Sequence, residues 1–318
     1  WLPPIEEGSQ FDSIDDEVLC EKYVNDATRR ALASASGGAG SKGKKKRSSP
    51  MFHEHFDMGH FVKEIGALPR NAELHITEKV HGTSHRVGHV LVDRYLRWHE
   101  RMLKKMGVQV QEQEWTYLSG SRRVVMQETS GKGFHERGVR DFAFALFDGK
   151  LRRGETVYME LVGYEPSGRP IMPGCVINRK SMPELHAAYG DAMSYSYGCD
   201  PGSCRVLVYR ITMTSVDGTD SRDLTWSEVV KRCQELGVDH VPYLTKIFAQ
   251  DHSTDELRSL VDGLAQGAST LDPRHLREGV CVRVEGAKNH TLKHKSFDFK
   301  VVEGMVKDSG VVDTEEAS

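Results

Sequence analysis

What the chain lacks narrows the field first. No apolar run approaches the roughly 18 residues that a membrane span requires, and no secretory leader pattern opens it. An excess of one charge is also missing, since 43 Lys and Arg face 46 Asp and Glu for a net charge of −3. That balance excludes a chain that coats polyanions over its whole surface, so any nucleic-acid contact must be a local patch. Cysteine is sparse. Cys20, Cys175, Cys199, Cys204, Cys233 and Cys281 are scattered without a disulfide framework, which predicts free thiols in a reducing compartment. Cys199 and Cys204 would make half of a zinc site, but the second half is absent. The cluster His53-Glu54-His55 with His60 reads as an exposed polar turn in preference to a metal site. No internal repeat stands out. The expectation is a soluble cytoplasmic protein, with 318 residues that are 38% hydrophobic, ample for one large core or two modest ones.

Residues 12–33 carry Ile14, Val18, Leu19 and Val24 at intervals that predict a helix. Small residues from Ser34 to Ser41 follow, and then Lys42, Lys44, Lys45, Lys46 and Arg47. Such a segment cannot bury enough surface to order itself and reads as a linker whose basic end is a solvated tether. The expected division is therefore an extension over 1–50, a globular unit over 51–305 and a tail over 306–318. Within that unit, short strands are predicted over 73–80, 84–92, 123–127, 142–147, 156–162, 205–212, 280–285 and 297–302. Helices are predicted over 93–106, 182–191, 225–236 and 254–263, with Thr225 or Ser227 as an N-cap. Strands outnumber helices. The fold class is α+β, with two antiparallel sheets and helices packed outside them.

The most informative string is Glu78-Lys79-Val80-His81-Gly82-Thr83-Ser84. A lysine at the end of an apolar strand, with glycine three residues on, is how a covalent nucleotidyltransferase presents its nucleophile. The amine must be uncharged to attack phosphorus, and burial with neighbouring cations favours that state. Gly82 is expected to let phosphate approach the backbone, and Thr83 and Ser84 to offer hydroxyls to a ribose. Four clusters downstream fit the same chemistry. Arg122 and Arg123 present guanidinium forks suited to phosphate oxygens. Glu160 places one carboxylate in an apolar strand, where a ribose hydroxyl is a natural partner. Tyr209 can lie over a purine, a role that needs its ring and not its hydroxyl. Glu278 can help hold Mg²⁺, while Lys293 and Lys295, two apart on a strand, share a face and can hold a triphosphate. Taken singly each has an ordinary structural explanation; their succession over one domain is what points to a reaction.

That succession resembles the covalent nucleotidyltransferase superfamily of polynucleotide ligases and mRNA capping enzymes. The string at Lys79 is most similar to the RNA ligases of the phage nick-sealing and RNA-editing branch, whose motif reads Glu-Lys-x-His-Gly-Thr-Asn, with Ser84 here in place of Asn. The resemblance covers about residues 51–305. It implies an ATP-grasp-like ligase core and an ATP-dependent RNA ligase using Mg²⁺ or Mn²⁺, with RNA bearing a 5′-phosphate and a 3′-hydroxyl as substrate. By the same resemblance Lys79 becomes the adenylated lysine and Glu78 lies beside the adenine. Ser84 and Glu160 meet the ribose, Arg122 or Arg123 (with Arg123 favoured for opening a strand) meets phosphate, and Tyr209 stacks on the base. Glu278 supports the metal, and Lys293 and Lys295 act on the α-phosphate and pyrophosphate. About 20 residues follow Lys295, which is short for a C-terminal OB domain, so a protein partner supplying RNA binding is expected. A capping-type guanylyltransferase, a DNA ligase and an accessory protein without the reaction remain alternatives.

Overall fold

A computed structural model describes residues 48–126, 137–285 and 290–308, with isolated backbone positions at 13–14, 17–18, 26 and 28–30. The linker, its basic run 42–47, Cys20, Gln127 and the tail beyond 308 lie outside them. Where the sequence pattern predicts one helix over 12–33, Ser13–Ile14 instead pairs antiparallel with Glu17–Val18.

The strands of the two large sheets are β1 (Gly59–His60), β2 (Glu73–Lys79), β3 (Thr83–Asp93), β4 (Gln113–Gly120), β5 (Val125–Met126), β6 (Glu155–Gly163), β7 (Cys204–Thr214), β8 (Ser221–Asp223), β9 (Asp239–His240), β10 (Tyr243–Phe248), β11 (Gly279–Val284) and β12 (Thr291–Lys295), while Cys175–Val176 and Ala192–Met193 pair separately as a small antiparallel ribbon. The helices are α1 (Phe61–Glu64), α2 (Trp98–Lys105), α3 (Arg137–Phe147), α4 (Pro183–Tyr189), α5 (Trp226–Leu236), α6 (Thr254–Ala265) and α7 (Phe297–Asp308). One sheet has seven strands in the order β8-β7-β6-β3-β4-β5, with β9 beside β7. The other has five, in the order β10-β2-β11-β12-β1. The expected two sheets are present and largely antiparallel, but β9 joins β7, and β1 joins β12, in parallel.

Alternation along the strands explains the five-stranded sheet. Leu74 and Ile76 of β2, Val280 and Val282 of β11, and Leu292 of β12 are buried together against Leu257, Val261 and Ala265 of α6 and Phe61 of α1. Each such side chain contributes about 1.5–3 kcal/mol on burial. Successive residues point to opposite faces, so Thr77, Lys79, Cys281, Arg283, Lys293 and Lys295 emerge together on the other side. The capping boxes Thr225/Glu228 and Ser253/Glu256 start α5 and α6.

Two segments read as strands are helices. In α3 the buried residues Val139, Ala143 and Phe147 recur every four residues, whereas Phe142 is exposed; that is a helical stripe, and the alternation seen in the sequence is incidental. In α7, Ser296 accepts the backbone N–H of Phe299 at 3.2 Å, the bond of an N-cap. Phe299 and Val302 are buried while Phe297 faces solvent.

Candidate active site

Lys79 is the last residue of β2, and its Nζ donates to Glu278 Oε1 at 2.5 Å across 199 residues of sequence. Sheet register creates this contact, because Gly279 of β11 pairs with both Lys79 and Lys295 and Cys281 pairs with Lys293. Lys295 Nζ lies 3.4 Å from the same Glu278 oxygen and 2.8 Å from Glu303 of α7. His81 Nδ1 stands 3.5 Å from Glu278 Oε2. Burial raises the Glu278 pKa, but the charges of Lys79 and Lys295 and the His81 contact outweigh it and hold the carboxyl well below its usual range.

Cys281 marks the middle of the site. Its thiol is pushed up to about 11, first by burial, with the charges of Lys79, Glu278, Glu160 and Lys293 acting on it. Glu160 belongs to the seven-stranded sheet, so the two sheets approach one another here. Ser84 lies opposite Glu160 in register and donates to its carboxylate at 3.3 Å. Tyr209 is half-buried beside them, and its hydroxyl is held well above its ordinary pKa by burial and then by the Glu160 charge. The structure thus gathers Lys79, Ser84, Glu160, Tyr209, Lys293 and Lys295 from five strands, with Glu278 immediately before β11.

Other expectations are revised. The Glu78 carboxylate points to the buried side of β2, where it accepts from Ser269 Oγ at 2.5 Å, Thr270 N at 2.9 Å and Thr270 Oγ1 at 2.6 Å. Its side chain fixes the 269–277 loop and does not reach the Lys79 side of the strand. Gly82 has a packing reason of its own, since a Cβ there would lie 2.4 Å from the Leu161 carbonyl and 2.8 Å from Glu160. Arg123 does not open a strand, because β5 begins at Val125, and its side chain is 69% exposed. Arg122 is the enclosed guanidinium of the pair, bound to Asp57.

Several site residues went unread. The cluster His53-Glu54-His55, expected as an exposed polar turn, belongs to a segment that lies against the seven-stranded sheet. Phe52 packs where Gly88 leaves room, a Cβ at Gly88 falling 2.9 Å from its ring. Phe56 stacks on Arg210, His55 meets the Tyr158 ring edge-on, and Asp57 pairs with Arg122. Arg86 is fully buried and donates to the Ser121 and Arg122 carbonyls at 2.6 and 2.7 Å, fixing the turn that carries Arg122. An arginine between Ser84 and Gly88 on a strand was the available signal, but alternation alone gave it no partner.

His55 Nδ1 is 2.6 Å from the Tyr209 hydroxyl, so that hydroxyl has a structural task. Tyr209→Phe, which the sequence reading treats as silent, is expected to raise the apparent KM for ATP roughly five-fold, the value of a lost hydrogen bond of about 1 kcal/mol. An unchanged KM in steady-state adenylation would return the role to the ring alone.

His55 itself is lowered to about 3 by burial and by the charges of Arg86, Arg210 and Arg122. Its folded value lies below the ordinary 6.5, so its contribution to stability is complete above 6.5 and is lost as pH falls towards 3. Between pH 6.5 and 5 the loss is about 2 kcal/mol. Thermal melts at these two pH values should show a larger drop for the wild type than for His55→Gln; equal drops would assign the acid sensitivity elsewhere.

A cavity of about 700 Å³ is lined by Arg222, Asp223, Arg283 and Glu285 among others. These four charged side chains are in ion pairs: Arg283 with Glu285 at 3.2 Å, Asp223 with Arg210 at 2.5 Å, and Arg222 with Glu228 at 3.0 Å. None of Lys79, Glu278, Lys293 and Lys295 lines this cavity.

Fold and site together define a two-sheet α+β protein with a strand-end lysine set among a buried carboxylate and two further lysines. The chain belongs to the RNA ligase family, whose model matches residues 72–302. No curated protein matches its sequence. Among solved structures it is similar to an apo variant of the Naegleria gruberi RNA ligase, with 14% identity, a TM-score of 0.48, and coverage of 90% of this chain and 64% of that one. A variant of the same enzyme with ATP and Mn gives 14%, 0.47, 84% and 65%. The enzyme with PPi gives 14%, 0.48, 84% and 61%. The chain spans somewhat under two thirds of these proteins.

Proposed function

We propose that the protein is an ATP-dependent RNA ligase that forms a lysyl–AMP intermediate at Lys79. The observation that carries this reading is the shared carboxylate: Glu278 binds Lys79 at 2.5 Å and Lys295 at 3.4 Å on neighbouring strands. As long as Lys79 is paired with Glu278 its amine is held as an ammonium. Once released, it stands beside Lys293 and Lys295, whose charges favour the neutral, nucleophilic form. Lys79 then attacks the α-phosphorus of ATP, the bond to pyrophosphate breaks, and the two lysines stabilise the departing charge. Ser84 and Glu160 bind the ribose, Tyr209 stacks on the adenine, and Arg122, set by Arg86, receives phosphate. AMP passes to an RNA 5′-phosphate, and a 3′-hydroxyl displaces it to form the phosphodiester.

A divalent cation fits this site. Glu278 Oε2 is buried without a hydrogen-bond partner, and Mg²⁺ or Mn²⁺ commonly takes one carboxylate oxygen together with nucleotide phosphates. Bound there, it would supply charge to the triphosphate. Among the described residues no group of three His, Cys, Asp or Glu forms a cage, which suits an ion that arrives with its nucleotide.

No helix among the described residues is long and apolar enough to cross a membrane. Free thiols at Cys175, Cys199, Cys204, Cys233 and Cys281 fit a reducing, cytoplasmic setting. Incubation with labelled ATP or GTP, followed by a 5′-phosphorylated RNA or DNA strand, tests the whole reading. Label is expected on the protein from ATP alone and to move to RNA. Label from GTP alone would assign the capping chemistry, transfer to DNA alone a DNA ligase, and none from either an accessory protein.

A further inference from the structure

The arm between β3 and β4 offers a surface that the domain leaves uncovered. Helix α2 has no buried residue. Trp98 is 72% exposed, Met106 61%, Met102 54% and Tyr95 52%. Trp98, Met102 and Met106 recur at four-residue steps and so form one stripe. An eight-residue helix is well short of the roughly 12–15 residues that hold together by propensity in water. Local bonds order it instead. Arg97 N donates to the Glu100 carboxylate at 2.7 Å, Glu100 pairs with Arg94, and Lys104 pairs with Glu112 at 2.6 Å. These contacts shape the arm without covering its apolar stripe, and an exposed stripe of large side chains is the mark of an interaction site.

Charge selects the partner. Residues 94–112 carry Arg94, Arg97, Arg101, Lys104 and Lys105 against Glu100 and Glu112. Two of those cations are paired as above; Arg97, Arg101 and Lys105 have no ion pair among the described residues. We propose that this arm docks a partner protein through an acidic amphipathic helix, its apolar stripe on Trp98, Met102 and Met106 and its carboxylates on the flanking cations. A second copy of the chain would set like charge against like. RNA would satisfy the cations and stack on Trp98, but would leave the two methionines bare, whereas flexible methionines suit a protein surface. Strand β3 runs for 11 residues from the turn beside Lys79 to the arm, roughly 35 Å, so the docked partner leaves the reaction site open.

The test titrates the full chain with three probes, read by tryptophan emission and calorimetry. One is a synthetic peptide helix with leucines at every third or fourth position and glutamates flanking them. The second is the same peptide with lysine for glutamate, and the third is a 5′-phosphorylated RNA duplex. The glutamate peptide should bind at micromolar level with a blue shift. Binding should weaken at least about 30-fold for the lysine peptide and for the chain carrying Trp98→Ser with Met102→Ser, as expected for a hot spot. RNA affinity, melting temperature and adenylation by the double variant should match the wild type. The proposal is overturned if the glutamate peptide does not bind, if the double variant binds it equally, if RNA is the probe whose affinity falls, or if melting drops because the stripe packs within the chain. Loss of adenylation in both proteins would count against the proposed activity and leave the docking result standing.

Discussion

After incubation with ATP and Mg²⁺, the wild-type chain is expected to gain one AMP by intact mass, and Lys79→Ala and Lys79→Arg none. The adduct should be acid-labile and base-stable, as a phosphoramidate is. Alanine removes the nucleophile. Arginine keeps the charge and can still pair with Glu278, but a guanidinium stays protonated at any usable pH and cannot attack phosphorus. Both variants should fold, because Glu278 retains Lys295 as a partner at 3.4 Å. An adduct that survives Lys79→Ala would place the nucleophile elsewhere and sink the mechanism.

Lys293→Ala and Lys295→Ala should each slow adenylation by about 10²-fold or more, about 2.7 kcal/mol of lost charge stabilisation at phosphorus. Their surroundings separate the two. Lys295 is bound to Glu278 and Glu303, so its removal also breaks the 2.8 Å pair that ties β12 to Glu303 of α7 and should lower the melting temperature. Lys293 pairs with Cys281 in register and acts on that thiol by its charge, so its loss should affect rate more than stability. Single-turnover rates with melts on both variants check this; a wild-type rate for either assigns that lysine to a solvated strand face.

The reactive core was legible because its signals are local and periodic. Lys79 ends an apolar strand before a glycine, and the two-residue spacing of Lys293 and Lys295 fixes their common face whatever the tertiary fold. Pairing was not legible. Nothing in the string at Lys79 says that the Glu78 side chain serves a loop near residue 270, or that Gly82 is small because Leu161 passes against it. Helix α3 was misread because a short apolar run fits either period, and only its burial on every fourth residue decides. His55 and Arg86 escaped notice for a related reason. Polar residues are read as exposed by default, and their partners Tyr209 and Ser121 lie 154 and 35 residues away.

The contact between Lys79 and Glu278 spans 199 residues, and this separation sets the order in which a growing chain can assemble. Strands β3 to β8 are complete once residue 223 has emerged, so six of the seven strands of the larger sheet can pair while Lys79 is still without its neighbours. Strand β2 then waits for β10, β11 and β12 as an unpaired edge. At about 5–20 residues per second, the lysine leaves the ribosome roughly ten to forty seconds before the carboxylate that will hold it. During that interval strand β2 presents unpaired edges open to mispairing, and a chaperone that shields Glu73–Lys79 would act there.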